Sequence, residues 1–255
     1  MTNLMVDNDQ PNPDADAPND QLILISGESA SGKSAALRHI RNQESWLYLN
    51  CEGKRLPFKN KFQPFRITDP YQVYEAFDYG TNNSEVKGIV IDTATFLMDM
   101  LESIYIISAA NTQKAWGDYA QFWKVLMQQK VTLFGKPVII MGHTKEELDE
   151  AAGVMRRSVP VKGSLRNNGI EAYFSTVVST KRMSIKDLKD FESELLNRSE
   201  EEIALGFKHV FQTRLTKATI GERIRSPMGM FEKNETYMDN DAQILLDRLT
   251  NFYNS

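Results

Sequence analysis

The chain has 255 residues, of which 41% are hydrophobic and 25% are charged. This is the composition of an ordinary globular protein that can bury a sizeable core. Its single cysteine, Cys51, excludes an internal disulfide framework and favours a reducing compartment. No apolar run approaches the ~18 residues that span a bilayer, and the N-terminus lacks a basic-then-apolar signal pattern. We therefore expect a cytoplasmic location and no membrane partner.

The formal net charge of −4 arises from the first 20 residues. They contain neither lysine nor arginine but five aspartates: Asp7, Asp9, Asp14, Asp16 and Asp20. Because the segment also mixes Asn and Pro with few apolar residues, we expect residues 1–20 to be a disordered acidic tail. Two roles are open for it, a solubilising leader or a mimic of nucleic-acid charge that covers a basic site. Residues 21–255 are expected to form a single domain.

A phosphate-binding loop follows the first apolar run. Leu22–Ile25 is short and apolar, which indicates a buried strand. The next stretch, GESASGKS, fits G-x-x-x-x-G-K-[ST] and precedes good helix formers. Its glycines let successive N–H groups turn toward one anion, and the N-terminus of the following helix favours the same negative charge. The predicted nucleotide-binding residues are Gly27, Glu28, Ser29, Ala30, Ser31, Gly32, Lys33, Ser34 and Ala35.

Two side chains of this loop predict that the ligand is ATP with Mg²⁺. Lys33 is expected to reach the β- and γ-phosphates, and the Ser34 hydroxyl is expected to ligate the metal. A later apolar strand, Gly88–Asp92, ends in an acid. This has the form of a Walker B strand, whose carboxylate holds the shell of the metal ion. The alternative for Asp92 is a cap on a helix that starts near Thr95.

Glu52 and His143 also follow apolar strands. Glu52 comes after Trp46–Asn50 and 19 positions after Lys33, where a carboxylate can polarise the water that attacks the γ-phosphate. Its alternative is an ordinary solvated glutamate. His143 follows the strand Pro137–Gly142 and can sense the γ-phosphate by hydrogen bonding. A packing role is the alternative for this histidine.

The remaining elements alternate between helix and strand. We expect helices at Tyr71–Phe77, at 95–108 and up to Leu126, and strands at Ala172–Thr180 and His209–Thr216. A charged surface helix is expected from Ser184 to about Arg198, within a helical insertion at 183–205. The C-terminal part, 206–255, is expected to end in a helix after Asn240. This alternation predicts an α/β fold with a mostly parallel central sheet flanked by helices. The nucleotide is then expected at the carboxyl ends of the strands.

A basic segment runs from Ala151 to Ile170. It contains no acidic residue, three glycines and four cations, which are Arg156, Arg157, Lys162 and Arg166. This length and composition predict a mobile loop, whose cations can follow a sugar–phosphate backbone without reading its sequence. A role in subunit contacts is the alternative.

The order of these segments resembles the RecA-like P-loop ATPase core, and in detail the small phage-encoded recombination ATPases that include the Sak-type single-strand annealing family. GESASGKS resembles the family's P-loop, LYLNCEG the strand with its catalytic glutamate, and GIVIDTATFL its Walker B strand. IIMGHTKEE lies where the family carries its γ-phosphate sensor, with His143 in place of the usual Gln. FQTRLTKATIGERIRSPMGMF resembles the basic hairpin region that reaches the nucleotide of a neighbouring subunit.

The resemblance implies further residues and partners. Lys217, Arg223 and Arg225 are expected to neutralise transition-state charge in an adjacent protomer, with a solvated basic face as their alternative. The chain is expected to assemble with itself, as a ring or filament, on single-stranded DNA, and a single-strand-binding protein is a further candidate partner. The implied function is a DNA-stimulated ATPase of phage recombination or annealing that acts in the host cytoplasm.

Two other functions stay open. A P-loop kinase of a small metabolite would use the basic segment as a lid over its substrate. A nucleotide-gated assembly factor or replication-loading factor would use ATP to control the docking of a partner. The strand that leads to Glu52, between the P-loop and Asp92, favours the RecA-type order over the kinase.

Overall fold

The computed structural model of the protein describes residues 19–150 and 153–254. The acidic tail predicted for residues 1–20 therefore lies outside the described residues, apart from its last two. The Asn19 carbonyl accepts a hydrogen bond from the Leu22 amide at 3.3 Å, and the Asn19 side chain donates to the Lys136 carbonyl at 2.8 Å. The chain is thus attached to the domain from residue 19 onward.

Several strands are formed by apolar runs of the sequence. Within the described residues the strands are β1 (Leu22–Gly27), β2 (Trp46–Asn50), β3 (Gln63–Arg66), β4 (Gly88–Asp92), β5 (Val138–His143), β6 (Lys145–Asp149), β7 (Val154–Ser158), β8 (Thr176–Ser184), β9 (Phe207–Gln212) and β10 (Tyr237–Asp239). The predicted strands at the P-loop, Glu52, Asp92 and His143 are confirmed as β1, β2, β4 and β5.

Helices occupy most of the longer connections. The α-helices of the described residues are α1 (Gln72–Asn82), α2 (Ala94–Leu101), α3 (Thr112–Val125), α4 (Val131–Phe134), α5 (Glu200–Leu205) and α6 (Ala242–Asn254). Two π-helical turns, Glu102–Ile106 and Leu126–Lys130, extend α2 and α3. The helix predicted after the P-loop is present as a 3₁₀ helix, Ser34–His39.

Eight strands form one twisted sheet in the order β10-β9-β8-β1-β5-β4-β2-β3. The six strands from β8 to β3 pair in parallel, and β9 and β10 add two antiparallel strands at one edge. The predicted α/β fold with a mostly parallel sheet is confirmed. The sequence analysis missed β3 because Pro64 lies inside it. This proline is tolerated there because β3 is an edge strand, where an amide donor is dispensable.

The central strands are buried on both faces, since side chains alternate between two apolar layers. Leu22 and Leu24 point into a layer that contains Phe77 of α1 and Trp123 of α3. Ile23 and Ile25 point into the opposite layer, with residues of the P-loop helix and of α6. This double burial explains why β1 reads as a continuous apolar run.

The charged surface helix predicted from Ser184 is wrong. Strand β8 continues to Ser184, which pairs with Phe207 of β9, so the ladder takes up the residue that was expected to cap a helix. The following residues form turns and a short 3₁₀ helix, Lys189–Phe191. The capping box lies later, where the Ser199 hydroxyl accepts from the Glu202 amide at the start of α5.

The mobile loop predicted for 151–170 is also wrong for most of its length. Strands β6 and β7 form a separate antiparallel hairpin. We call it the basic hairpin after Arg156 and Arg157 of β7, and it is distinct from the segment 211–231. Residues 163–167 form a 3₁₀ helix. Residues 151–152, between its two strands, lie outside the described residues. Opposite charges face each other across the hairpin, with Glu146 opposite Arg157, and such pairs stabilise a ladder.

No helix among the described residues is long and apolar enough to cross a membrane.

Substitution of glycine by alanine should have opposite effects on stability at two positions. A Cβ at Gly88 would overlap the buried ring of Trp46, so Gly88→Ala should lower the free energy of unfolding by about 1–3 kcal/mol. Gly117 lies inside α3, and no atom lies within 4 Å of the position that a Cβ would take there, so Gly117→Ala should raise it by about 0.5–1 kcal/mol. Urea unfolding of both variants measures the difference, and destabilisation of equal size would contradict the packing described.

Candidate functional site

A cleft of about 510 Å³ lies at the carboxyl ends of β1, β2 and β5. One wall is the P-loop from Ser29 to Ala35, and Glu52 and His143 stand across from it. The far wall is formed by α5, β9 and the turn before α6, and it contributes Leu205, Phe207, His209 and Asn240. The structure therefore brings the predicted phosphate-binding residues, the predicted base and the predicted sensor into one cavity.

The P-loop backbone is tightly enclosed. Gly32 has φ of 107°, a conformation that favours glycine, and a Cβ there would lie 2.7 Å from Asn240 Nδ2. Two polar side chains of the far wall hold the loop, since Asn240 Nδ2 donates to the Gly32 carbonyl at 2.9 Å and His209 Nδ1 donates to the Ser31 carbonyl at 2.8 Å. These bonds fix the backbone of the loop at the edge of the cleft.

Lys33 uses all three of its ammonium hydrogens. Nζ donates to the carbonyls of Gly27 at 3.0 Å and Glu28 at 2.7 Å, and it lies 3.2 Å from Nδ1 of His143. The residue is only 5% exposed. Burial lowers the pKa of Lys33 to about 8, and the negative charges of Glu52, Asp92 and Glu28 oppose this shift.

His143 connects Lys33 with Glu52. Its Nε2 lies 2.8 Å from Glu52 Oε1. Because a carboxylate only accepts hydrogen bonds, Nε2 carries the hydrogen, and Nδ1 is left to accept from Lys33. The His143 amide donates to Thr95 Oγ1 at 2.9 Å, which fixes the end of β5. The order β1-β5-β4-β2 explains this contact, since β5 lies between the P-loop strand and the strands of Asp92 and Glu52.

Ser34 and Asp92 meet beside this chain of contacts. Ser34 Oγ donates to Asp92 Oδ2 at 3.3 Å, and the Tyr48 hydroxyl donates to the same oxygen at 2.6 Å. Burial raises the pKa of Asp92, and the hydrogen bond from Tyr48 opposes that shift. Oδ1 of Asp92 is buried and has no hydrogen-bond partner among the described residues.

This donor set fits Mg²⁺. The ion prefers hydroxyl, carboxylate and water oxygens, and the Ser34 hydroxyl and the Asp92 carboxylate, with its unpartnered Oδ1, would supply the first two. Ser34 and Asp92 would hold the ion, which would supply charge neutralisation for the phosphates when bound.

The sequence analysis missed several residues of the cleft and its surroundings: Tyr48, Arg38, Phe207, His209 and Asn240. Tyr48 had a signal, since it is a polar side chain inside the apolar strand WLYLN. Arg38 lies in the helix directly after the P-loop, without a recognisable motif. Phe207, His209 and Asn240 lie far from the P-loop in sequence, and only the packing of β9 and of the turn before α6 against the loop brings them there.

The profile of a protein family described as an AAA domain matches residues 19–215, which is most of the chain. The matched segment contains the P-loop, Glu52, Asp92 and His143. The chain belongs to this AAA domain family. No curated protein matches the sequence. An AAA domain is a nucleotide-binding ATPase domain, which agrees with the cleft, and the more specific resemblance to the Sak-type family stays a prediction.

A second concave surface of the AAA domain holds most of the residues predicted to bind DNA. This groove of about 740 Å³ is lined by three of the predicted cations, Arg156, Lys162 and Arg166. Two further cations that were not predicted to bind DNA, Lys145 and Arg223, line it as well, together with the carboxylates of Glu147 and Asp149. Arg156 pairs with Asp149 and Lys162 with Glu102. Arg166 forms no ion pair within residues 19–150 and 153–254. The fourth predicted cation, Arg157, lies on the other face of the basic hairpin and pairs with Glu28 of the P-loop.

The residues predicted to act on a neighbouring protomer lie outside the cleft of their own chain. Lys217 and Arg225 are exposed. Arg223 donates to the Asn168 carbonyl at 2.6 Å and lies 3.4 Å from the buried carboxylate of Glu171. The AAA domain thus gives Arg223 a structural partner within the chain, while its predicted action in trans stays a prediction.

The pKa of about 8 for Lys33 predicts that nucleotide affinity falls as the pH rises through 8. Phosphate oxygens bind the protonated ammonium, and the bound phosphate raises its pKa, so affinity should fall about tenfold between about pH 7 and pH 9. Calorimetric titration with the β,γ-imido analogue of ATP measures the change. Lys33→Arg is the control, because a guanidinium stays protonated over this range and its affinity should be constant. Equal affinity of the unaltered chain at both pH values would contradict the prediction.

Proposed function

We propose that this AAA domain hydrolyses Mg-ATP and that single-stranded DNA in the groove stimulates the hydrolysis. The observation that carries the proposal is the path of β5. Its last residue, His143, contacts Lys33 and Glu52 in the cleft, and the next residues enter the basic hairpin, which lines the groove. One continuous segment therefore connects the two surfaces.

The side chains of the cleft have separate roles in the proposed hydrolysis. Lys33 binds phosphate oxygens, and since its three hydrogens already have acceptors, it must release at least one of them. For His143 to bond a phosphate oxygen, its Nε2 hydrogen must leave Glu52, so contact with the phosphate also alters the contact that orients Glu52. Glu52 then accepts the proton of the attacking water. These contacts support a sensor role for His143.

We expect Glu52→Gln to lose most of the ATP hydrolysis and to retain nucleotide binding. The amide has a similar shape but cannot accept the proton, so turnover should fall by about 10²–10⁴-fold while affinity for the imido analogue changes little. Phosphate release and calorimetry measure the two quantities. Glu44→Gln is the matched control, because Glu44 is exposed and precedes the other end of β2. Undiminished turnover in Glu52→Gln would remove Glu52 as the base.

The groove supports a single-stranded polyanion as the partner. Its five cations outnumber its two carboxylates, and Arg166 has no competing partner within the described part of the chain. Trp116 is half-buried at one side of the groove, where its ring adds apolar surface of the kind that bases contact. Because the cations would bind phosphates in place of counterions, the affinity should depend strongly on salt.

We expect Arg166→Gln to bind single-stranded DNA more weakly, with an affinity that depends less on salt concentration. Each neutralised phosphate contributes about −0.7 to the slope of log K against log salt, so removal of one contact should reduce the slope by about that amount. Fluorescence anisotropy with a labelled oligothymidylate at several salt concentrations measures it. Arg41→Gln is the control, since Arg41 pairs with Asp247, away from the groove.

ATP turnover with and without the oligonucleotide tests the proposal as a whole. Stimulation at low salt that Arg166→Gln diminishes would support it. No stimulation, with nucleotide binding intact, would remove DNA from the function. Transfer of phosphate to an organic acceptor in place of water would establish the kinase alternative.

The biological role that we propose is recombination or annealing in a phage, with the chain assembled as an oligomer. Lys217 and Arg225 support assembly, because they are exposed and absent from the cleft of their own chain, as residues that act on a neighbour must be. A single-strand-binding protein would be a natural further partner on the same DNA.

A further inference from the structure

The two faces of the basic hairpin carry different chemistry. Because side chains alternate along a strand, Arg156 and its cross-strand neighbour Glu147 point to one face, and Arg157 and its neighbour Glu146 point to the other. The first pair lines the groove. Arg157 instead reaches the P-loop, where its Nη2 lies 2.9 Å from Glu28 Oε1. A single two-stranded element thus contacts both the groove and the nucleotide loop.

Arg157 is held at the junction of three segments. Besides Glu28, it pairs with Glu146 of the same hairpin, and its Nη1 lies 3.7 Å from Glu222 Oε1. Its amide donates to the Gly221 carbonyl at 3.1 Å. The side chain is 21% exposed, and its Nε is buried without a hydrogen-bond partner among the described residues. A cation in this position responds to any change in the carboxylates around it.

Glu28 connects Arg157 with Lys33. The Glu28 carbonyl accepts from Lys33 Nζ at 2.7 Å and from Ser31 Oγ at 2.8 Å, while the carboxylate of the same residue binds Arg157. A phosphate takes up hydrogens of the Lys33 ammonium, which the carbonyls of Gly27 and Glu28 now accept. Residue 28 then loses a bond on its backbone, beside the carboxylate that binds Arg157.

We propose that the ion pair between Glu28 and Arg157 couples nucleotide binding at the P-loop to the basic hairpin. The further step, from the hairpin to DNA in the groove, rests on the proposed function. Arg157 is a positioning residue in this scheme, since it lines neither the cleft nor the groove. Coupling is reciprocal, so DNA in the groove must change nucleotide affinity by the same factor as nucleotide changes DNA affinity.

Hydrogen exchange of the hairpin amides tests the first step without DNA. In the unaltered chain, Mg²⁺ with the β,γ-imido analogue of ATP should change the exchange of Val154–Ser158. Glu28→Gln and Arg157→Gln should each remove most of that change. Glu28→Gln leaves Arg157 with Glu146 and Glu222, so the hairpin should stay folded even if Arg157→Gln disturbs it. Arg156→Gln is the matched control, adjacent in sequence but on the opposite face, and should keep the full change.

Two outcomes would overturn the inference. One is a hairpin whose exchange is unaffected by bound nucleotide in the unaltered chain, and the other is a full response in both Glu28→Gln and Arg157→Gln.

Affinity for the labelled oligothymidylate, with and without the imido analogue, tests the second step. The unaltered chain should show a ratio of the two affinities in the range of about 5–150 that is typical of coupled sites. Glu28→Gln should lower this ratio, and the part that remains is the coupling through His143 and β5. Arg156→Gln should weaken both affinities and leave the ratio unchanged. If the oligonucleotide does not bind at all, the proposed function and the second step fail together, and hydrogen exchange still decides the first.

Discussion

The buried ammonium of Lys33 is the constraint around which the cleft is arranged. Burial of a charge is costly unless it is hydrogen-bonded and surrounded by opposite charge. Two P-loop carbonyls and His143 take its hydrogens, and Glu52, Asp92 and Glu28 supply the negative potential. The loss of hydration on burial outweighs these favourable interactions, so the pKa of Lys33 is lowered to about 8. A ligand that brings more negative charge than these partners therefore has a strong attraction for this lysine.

The strand order of the sheet turns this local contact into a connection across the molecule. Strand β5 lies between β1 and β4, so His143 stands between the P-loop and the acidic residues of the neighbouring strands. The chain that leaves β5 passes directly into the basic hairpin. The backbone bond from the Thr144 amide to the Gly27 carbonyl, at 3.1 Å, attaches the start of the hairpin to the P-loop strand. The phosphate site and the hairpin therefore share the same few residues.

Much of the core and of the phosphate site could be predicted from local sequence. Apolar runs that are buried on both faces identify parallel strands, and the residue after each run lies at the same edge of the sheet. This reasoning places Glu52, Asp92 and His143 beside Lys33, and the structure does bring them together. The P-loop itself needs only its own glycines and the strand and helix on either side.

The errors share one cause, which is that polar segments depend on partners elsewhere in the chain. The acidic stretch 145–150 and the basic stretch after it look like separate loops, yet they pair across a hairpin. Ser184 resembles a helix cap in sequence, but in the fold it pairs with Phe207 of β9 and is the last residue of β8. Arg156 and Arg157 look equivalent in sequence, and the alternation of a strand sends them to opposite faces.

The amino-acid sequence by itself determined the parallel sheet, the phosphate loop and the residues at the strand ends, because these follow from hydrophobic pattern and short-range backbone geometry. The tertiary structure alone decided that His143 joins Lys33 to Glu52, that His209 and Asn240 support the P-loop, and that Arg157 contacts Glu28. These contacts join residues far apart in the chain, and their geometry depends on which strands become neighbours, which no local pattern specifies.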